Sequence, residues 1–145
     1  MKAIFFANTD WYLFNFRLDL AKFLRSRGWE VVFMAPPGDH FNQIEKQGFR
    51  QIPFEFSRKG INPIIEKRTI DRIAKIYCTE KPDLVHHFTV KCVIYGSMAA
   101  KKCGIPCIIN SITGLGYVFL GTTLIARMIR RIATFLYKSA LQHTQ

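Results

Sequence analysis

The sequence predicts an α/β domain: a parallel sheet of about five to six strands with helices on both faces. Three observations lead there. Short apolar runs alternate along the chain with segments whose apolar residues recur at helical spacing. The runs are apolar throughout instead of alternating with polar residues, as strands covered on both sides require. Gly and Pro punctuate nearly every junction between the two. With 145 residues, 49% of them apolar, the chain suits one packed domain, residues 1–145.

Each element has its own signals. Lys2–Ala7 reads as the first buried strand. Asn15 can cap a helix whose apolar face is Phe16, Leu20, Phe23 and Leu24, and Gly28 stops it. Glu30–Ala35 is a second strand, closed by Pro36-Pro37-Gly38. A short helix over 41–47 ends at Gly48, and 49–56 is a third strand weakened by Pro53. After a basic loop over 57–63, Pro63 suits the first turn of a helix with Ile70, Ile73, Ile76 and Tyr77 on its apolar face. Asp83–His87 is a fourth strand, Val90–Lys102 a helix stopped by Gly104, and Ile105–Asn110 a fifth strand. A Gly-bearing loop over 111–121 leads to a last helix over 122–141.

Charge is distributed unevenly. The formal net charge is +11, yet every acidic residue precedes Leu84. Beyond it, Lys91, Lys101, Lys102, Arg127, Arg130, Arg131 and Lys138 have no acidic counterpart, which points to a polyanionic partner. Nucleic acid is not the expected one, since no helix-turn-helix, zinc-finger or aromatic RNA-binding motif is present. In the last helix, Ile125, Met128, Ile129, Ile132, Phe135 and Leu136 share one face, with Arg127, Arg130, Arg131 and Lys138 on the other. That pattern fits either a core helix with a solvated basic face or a surface resting on anionic lipid.

The four cysteines, Cys78, Cys92, Cys103 and Cys107, show neither a metal-ligand pattern nor the density of a disulfide scaffold. They are expected as free thiols, with no metal bound. The N-terminal apolar run is too short for a signal peptide. The uncharged stretch 103–126 is long enough to span a bilayer, but Gly104, Pro106, Asn110, Gly114, Gly116 and Gly121 make it read as strand, loop and helix start.

In a parallel sheet, ligands bind at the carboxyl ends of the strands. The first such loop, 8–15, has no glycine, so it cannot approach a dinucleotide pyrophosphate closely. Its Trp11, Tyr12 and Phe14 either close one end of the core or offer a platform to a sugar ring or lipid. The fourth strand ends in His86-His87-Phe88-Thr89-Val90-Lys91. Alternation sends the two histidines to opposite sides, so at most one faces the cleft, where an imidazole can exchange a proton with a sugar hydroxyl. Lys91 would add its charge to a helix N-terminus in attracting phosphate. In the fifth loop, Thr113-Gly114-Leu115-Gly116 allows close backbone approach.

The segments FRLDLAKFLRSRGWEVVFMAPPGD, SRKGINP, KPDLVHHFTVKCVIYGSMAAKKCGIPCIINSITGLGYVF and ATFLYKSAL follow in the order and spacing of the N-terminal domain of glycosyltransferase family 4. The chain most resembles bacterial enzymes that add sugars to lipid-linked precursors of capsule, O-antigen or N-glycan. The resemblance implies half of a GT-B architecture, in which two Rossmann-like domains face across a cleft. It implies that this half binds a lipid-linked diphosphate saccharide, while the nucleotide-sugar, a UDP-sugar, lies on a C-terminal domain carrying a Glu-x7-Glu motif. It also implies retaining, metal-independent transfer. By position it assigns substrate roles to Arg17, Arg58, Asn62, Thr89, Lys91, Thr113, Gly114 and Gly116, with His86 and His87 as catalytic candidates; Trp11 joins them as the aromatic platform read from the first loop itself.

No two Glu residues lie eight apart anywhere in the chain. The chain is therefore expected to hold no cofactor and to be inactive alone, working with a C-terminal donor domain or a separate donor subunit. The alternative is a non-catalytic, membrane-recruiting subunit of a split enzyme. Either would work in the cytoplasm, peripherally on the inner face of the plasma membrane.

Overall fold

A computed structural model describes residues 1–56 and 62–112, together with Arg131 and Thr134. The elements are β1 (Lys2–Phe6), α1 (Asp10–Ser26), β2 (Glu30–Ala35), α2 (Phe41–Lys46), β3 (Arg50–Pro53), α3 (Pro63–Glu80), β4 (Leu84–Phe88), α4 (Val90–Lys102) and β5 (Cys107–Ser111). All pairings are parallel, in the order β3-β2-β1-β4-β5. The order reverses between β1 and β4, the switch point where open α/β sheets leave a crevice.

Alternation along the strands makes two core layers. Ala3, Phe5, Val31 and Phe33 pack with Leu13, Leu18 and Ala21 of α1 and Ile44 of α2. Ile4, Phe6, Val32, Met34 and Val85 pack with Ile70, Ile73, Ala74 and Tyr77 of α3 and with Cys92, Ala99 and Ala100 of α4. At the amino edge, Lys2, Glu30 and Arg50 open β1, β2 and β3 and converge with Glu80. The Arg50 and Lys2 cations hold the Glu80 carboxyl down at about 2.

The structure corrects several expectations. The first helix begins at Asp10, capped by Thr9, whose Oγ1 accepts the Tyr12 N–H at 3.1 Å. Asn15 lies inside it and donates to Trp11 O at 2.9 Å. Its expected apolar face is also turned outward: Phe16, Leu20 and Phe23 are 56%, 37% and 55% exposed. Rings from the sheet explain this, since Phe5, Phe33 and Phe88 fill the layer beneath α1, which contributes smaller side chains to it.

β3 is an edge strand and ends at Pro53; the Phe54 N–H still donates to Ala35 O of β2 at 3.0 Å, and Phe54 and Phe56 pack on Phe6. β4 and β5 are displaced by one or two residues toward the carboxyl edge relative to the sequence reading.

The cysteines also differ from expectation, because Cys78 and Cys103 form a disulfide. The last turn of α3 and the C-cap of α4 bring their Cα atoms within 5.2 Å across 25 residues of sequence, a proximity no local spacing announces. Cys92 is a buried free thiol and Cys107 an exposed one. Among the described residues, no cluster could hold a metal ion and no helix is long and apolar enough to cross a membrane.

Candidate functional site

Among the described residues, α1, α3 and α4 start at the carboxyl edge of the sheet, and their N-termini are finished differently. The α1 end is closed by its own side chains. Asp10, 6% exposed, accepts the Trp11 N–H at 2.8 Å through Oδ1 and the His40 N–H at 2.9 Å through Oδ2. Gly38 presses against that carboxylate, where an added Cβ would lie 2.6 Å from Oδ1. Asn62 caps α3, its Oδ1 accepting the Ile64 N–H at 3.0 Å.

The α4 end has no side-chain cap. Thr89 stands at the N-cap with φ 71° and ψ 154°, a backbone region that disfavours every residue but glycine. Its Oγ1 is buried with no hydrogen-bond partner of good geometry among the described residues. The neighbouring Cys92 thiol is pushed up to about 12 by burial and stays protonated.

Beside this end lies a cleft of about 160 Å³ lined by Asn8, Phe56, Thr89, Val90 and Lys91. Lys91 Nζ sits 5.6 Å from the Tyr95 ring and donates to Glu66 Oε1 of α3 at 2.8 Å, in a pair with both side chains largely buried.

The two histidines face opposite layers. His86 lies on the α1 side, with its ring centroid 4.1 Å from that of Phe88 and its Nε2 2.7 Å from Ser111 Oγ. Arg17 reaches across from α1, its guanidinium over the Phe88 and Tyr12 rings at 4.5 and 5.2 Å and bonded to the Tyr12 hydroxyl. Burial, and then the Arg17 charge, lowers the His86 pKa to about 4.

His87 is fully buried on the other side, so it does not reach the cleft. Its Nδ1 meets Asn110 Oδ1 at 2.8 Å and its Nε2 meets Tyr77 Oη at 3.0 Å. An amide oxygen can only accept, so Nδ1 carries the proton and Nε2 accepts from the tyrosine. Asn110 Nδ2 donates in turn to Ser97 Oγ. Gly96 lets α4 close on this ring, since a Cβ there would lie 2.5 Å from His87 Cδ2 and Nε2. Burial brings the His87 pKa to about 4 as well. Both imidazoles are therefore neutral at pH 7, and Arg17 and Lys91 bring cations to this edge.

Thr89 and Lys91 thus share the cleft, while His86 and Arg17 meet around Phe88. Trp11, 51% exposed, stands on the first turn of α1 with its ring 5.4 Å from Phe16. The Asn62 side chain is engaged as a helix cap. Arg58, Thr113, Gly114, Gly116, Arg127, Arg130 and Lys138 lie outside the described residues, as does nearly all of the last helix; Arg131 is helical and exposed. Sequence reasoning missed Asn8, Phe56 and Glu66. Asn8 follows the first strand and could have been sought there, whereas Glu66 is 25 residues from its lysine and carries no local signal.

Comparison with known proteins bears on the family and the fold. A relative from Campylobacter jejuni, N,N'-diacetylbacillosaminyl-diphospho-undecaprenol alpha-1,3-N-acetylgalactosaminyltransferase, is 26% identical over 138 residues. The match covers 95% of this chain and 37% of the relative, so the chain spans little more than a third of that protein's length. Among solved structures, Acinetobacter baumannii MurG aligns with a TM-score of 0.59 at 20% identity, over 75% of this chain and 33% of its own. A putative UDP-N-acetylglucosamine 2-epimerase from Listeria monocytogenes aligns with a TM-score of 0.64 at 13% identity, over 96% and 37%.

At such identities the structures speak to the fold alone, and their names include an epimerase, so the fold does not choose the reaction. The profile of the glycosyl transferase 4-like family matches residues 2–145. With a half-sheet of the GT-B type and a cleft at its carboxyl edge, the chain belongs to the glycosyl transferase 4-like family.

Proposed function

We propose that this chain is the acceptor-binding half of a retaining glycosyltransferase. It would receive a lipid-linked diphosphate saccharide, to which a sugar is transferred from a UDP-sugar during cell-surface polysaccharide or glycan synthesis. The observation that carries the reading is the α4 N-terminus: uncapped, beside Lys91, and open to a cleft at the sheet's switch point.

Unsatisfied N–H groups at a helix start and a neighbouring ammonium form an anion site. Glu66 holds the ammonium in place, and a diphosphate, carrying more than one negative charge, competes with that single carboxylate. Trp11 offers an exposed aromatic face for a sugar ring at the same edge. Neutral His86 can exchange hydrogen bonds with sugar hydroxyls. The cations Arg127, Arg130, Arg131 and Lys138 would meet the anionic inner face of the plasma membrane, where such an acceptor resides.

Transfer depends on positioning both substrates and stabilising a departing diphosphate, and one half of a cleft supplies little of either. The chain alone is expected to bind a short-chain polyprenyl diphosphate saccharide, with Lys91→Ala about tenfold weaker, and to show negligible transfer. Transfer would appear on coexpression with a donor half. Unchanged affinity in Lys91→Ala would overturn the assignment of the site, and nucleotide-sugar turnover by the chain alone would overturn the division of labour.

A further inference from the structure

Helices α3 and α4 lie side by side on one face of the sheet and are joined near both ends. At the carboxyl edge Lys91 bonds Glu66. At the amino edge Lys102 bonds Asp71 at 2.7 Å, and the Cys78–Cys103 disulfide closes the pair. Between the two ends sits the His87 ring. Tyr77, the residue before Cys78, stacks on it with centroids 6.1 Å apart and donates to its Nε2. Gly96 of α4 presses on the ring, and Ser97 bonds the Asn110 amide that holds the other ring nitrogen. Cys78 in the last turn of α3 and Cys103 at the C-cap of α4 therefore lie at the ends of two helices that grip His87, the residue immediately preceding Phe88 and the strained Thr89.

The disulfide is accessible. Cys78 is exposed and Cys103 partly so. Both line an open cleft of about 320 Å³ at the amino edge, together with Lys81 and Asp83. Asp83 is engaged, since its Oδ2 accepts the Lys2 N–H at 2.6 Å. The Lys81 ammonium favours a thiolate and an incoming anion at this opening.

We propose that Cys78 and Cys103 form a thiol–disulfide exchange site for a small anionic thiol of the glutathione class, and that its closure tightens the α3–α4 grip behind residues 86–91. In the reducing direction, a thiolate RS⁻ attacks Cys78 Sγ. The Sγ–Sγ bond breaks, and Cys103 leaves as a thiolate that takes a proton. A second RS⁻ attacks the sulfur of R in the mixed disulfide, which releases the Cys78 thiolate and RSSR. Closure is the reverse: RSSR accepts two electrons from the two cysteine thiols, and two RSH leave. The proposal stands on the helix geometry and not on the acceptor reading, and its test involves no sugar transfer.

The test incubates the full 145-residue chain with reduced or with oxidised glutathione, labels thiols with a maleimide, and maps the label by mass spectrometry. After oxidised glutathione, Cys78 and Cys103 are expected unlabelled and joined to each other with no added glutathione mass, while the exposed Cys107 carries either the label or one glutathione. After reduced glutathione, all three are expected to be labelled. The melting temperature of the crosslinked chain should be higher by on the order of 10 °C, and Cys78→Ser should melt identically in both buffers.

Hydrogen exchange at the Val93 amide, which donates to Thr89 O in the first turn of α4, should be about fivefold slower in the crosslinked chain. Label on both Cys78 and Cys103 after oxidised glutathione overturns the exchange site. A closed disulfide with unchanged Val93 exchange overturns its coupling to the cleft.

Discussion

The N-termini of α1 and α4 stand on the same edge of the same sheet, and each helix is seated where a glycine meets a buried polar side chain, at the first residue of α1 and under the middle of α4. At α1 the pair is Gly38 and Asp10, with a Cβ-to-oxygen approach of 2.6 Å; at α4 it is Gly96 and His87, with 2.5 Å to the ring. The chemistry left over is opposite. Asp10 and Thr9 satisfy the α1 end from within, with a carboxylate where an anion would otherwise sit. His87 is used up below the helix, and the α4 end keeps its first N–H groups free of side-chain caps, with a lysine beside them. A self-capped helix start has its N–H groups satisfied by its own side chains, whereas the α4 start has no side-chain cap.

The largest expected effect tests the seats themselves. Gly96→Ala forces a Cβ into an imidazole held on both nitrogens, at a cost of about 3 kcal/mol in a denaturant melt. Gly38→Ala meets a carboxylate under an exposed loop that can shift, and should cost about 1 kcal/mol. Equal costs would mean the two seats are equally rigid.

Next comes acid. His86 and His87 both fall from 6.5 to about 4 in the folded state, so between those values the unfolded chain binds more protons. Stability should therefore fall as pH drops through 6.5 toward 4. Below about 4.5 Glu80 adds a second loss, because its folded value lies lower still, at about 2. The urea midpoint, compared between neutral pH and the range midway to the folded histidine values, reads the first window. A flat response there would show that the histidines are not buried neutral.

Asp10→Ala should cost about 2 kcal/mol, as two backbone N–H groups lose their acceptor. It should also make the α1 end more receptive to inorganic pyrophosphate, which calorimetry can detect. Glu66→Gln removes the carboxylate competing for Lys91 and should raise pyrophosphate affinity severalfold at α4, with a steeper salt dependence. The smallest change has the opposite sign: Thr89→Gly relieves the strained backbone and should stabilise the chain by up to about 1 kcal/mol. A loss of stability would mean that the buried Oγ1 contributes more than the strain costs.

Much of the fold was legible because its signals are local. β2 and α4 occupy the residues that the apolar run 30–35 and the Gly104 stop announce. α1 was misread because Asn15 offered a second capping residue inside the helix, and because the outward Phe16, Leu20 and Phe23 repeat at helical period as well as any core face would. Periodicity reports an apolar stripe but not which layer has room for it.

Residue order is enough to set the parallel α/β rhythm, the carboxyl edge of the sheet, and the His86–Lys91 segment on it. These follow from hydrophobic period, turn residues and the direction of the strands, all carried by neighbours in the chain. Tertiary packing decided which histidine is interior, which helix start stays open, and that Cys78 meets Cys103 and Glu66 meets Lys91. Each of those two contacts joins groups 25 residues apart that are pressed together by packing, and no local pattern encodes such a contact.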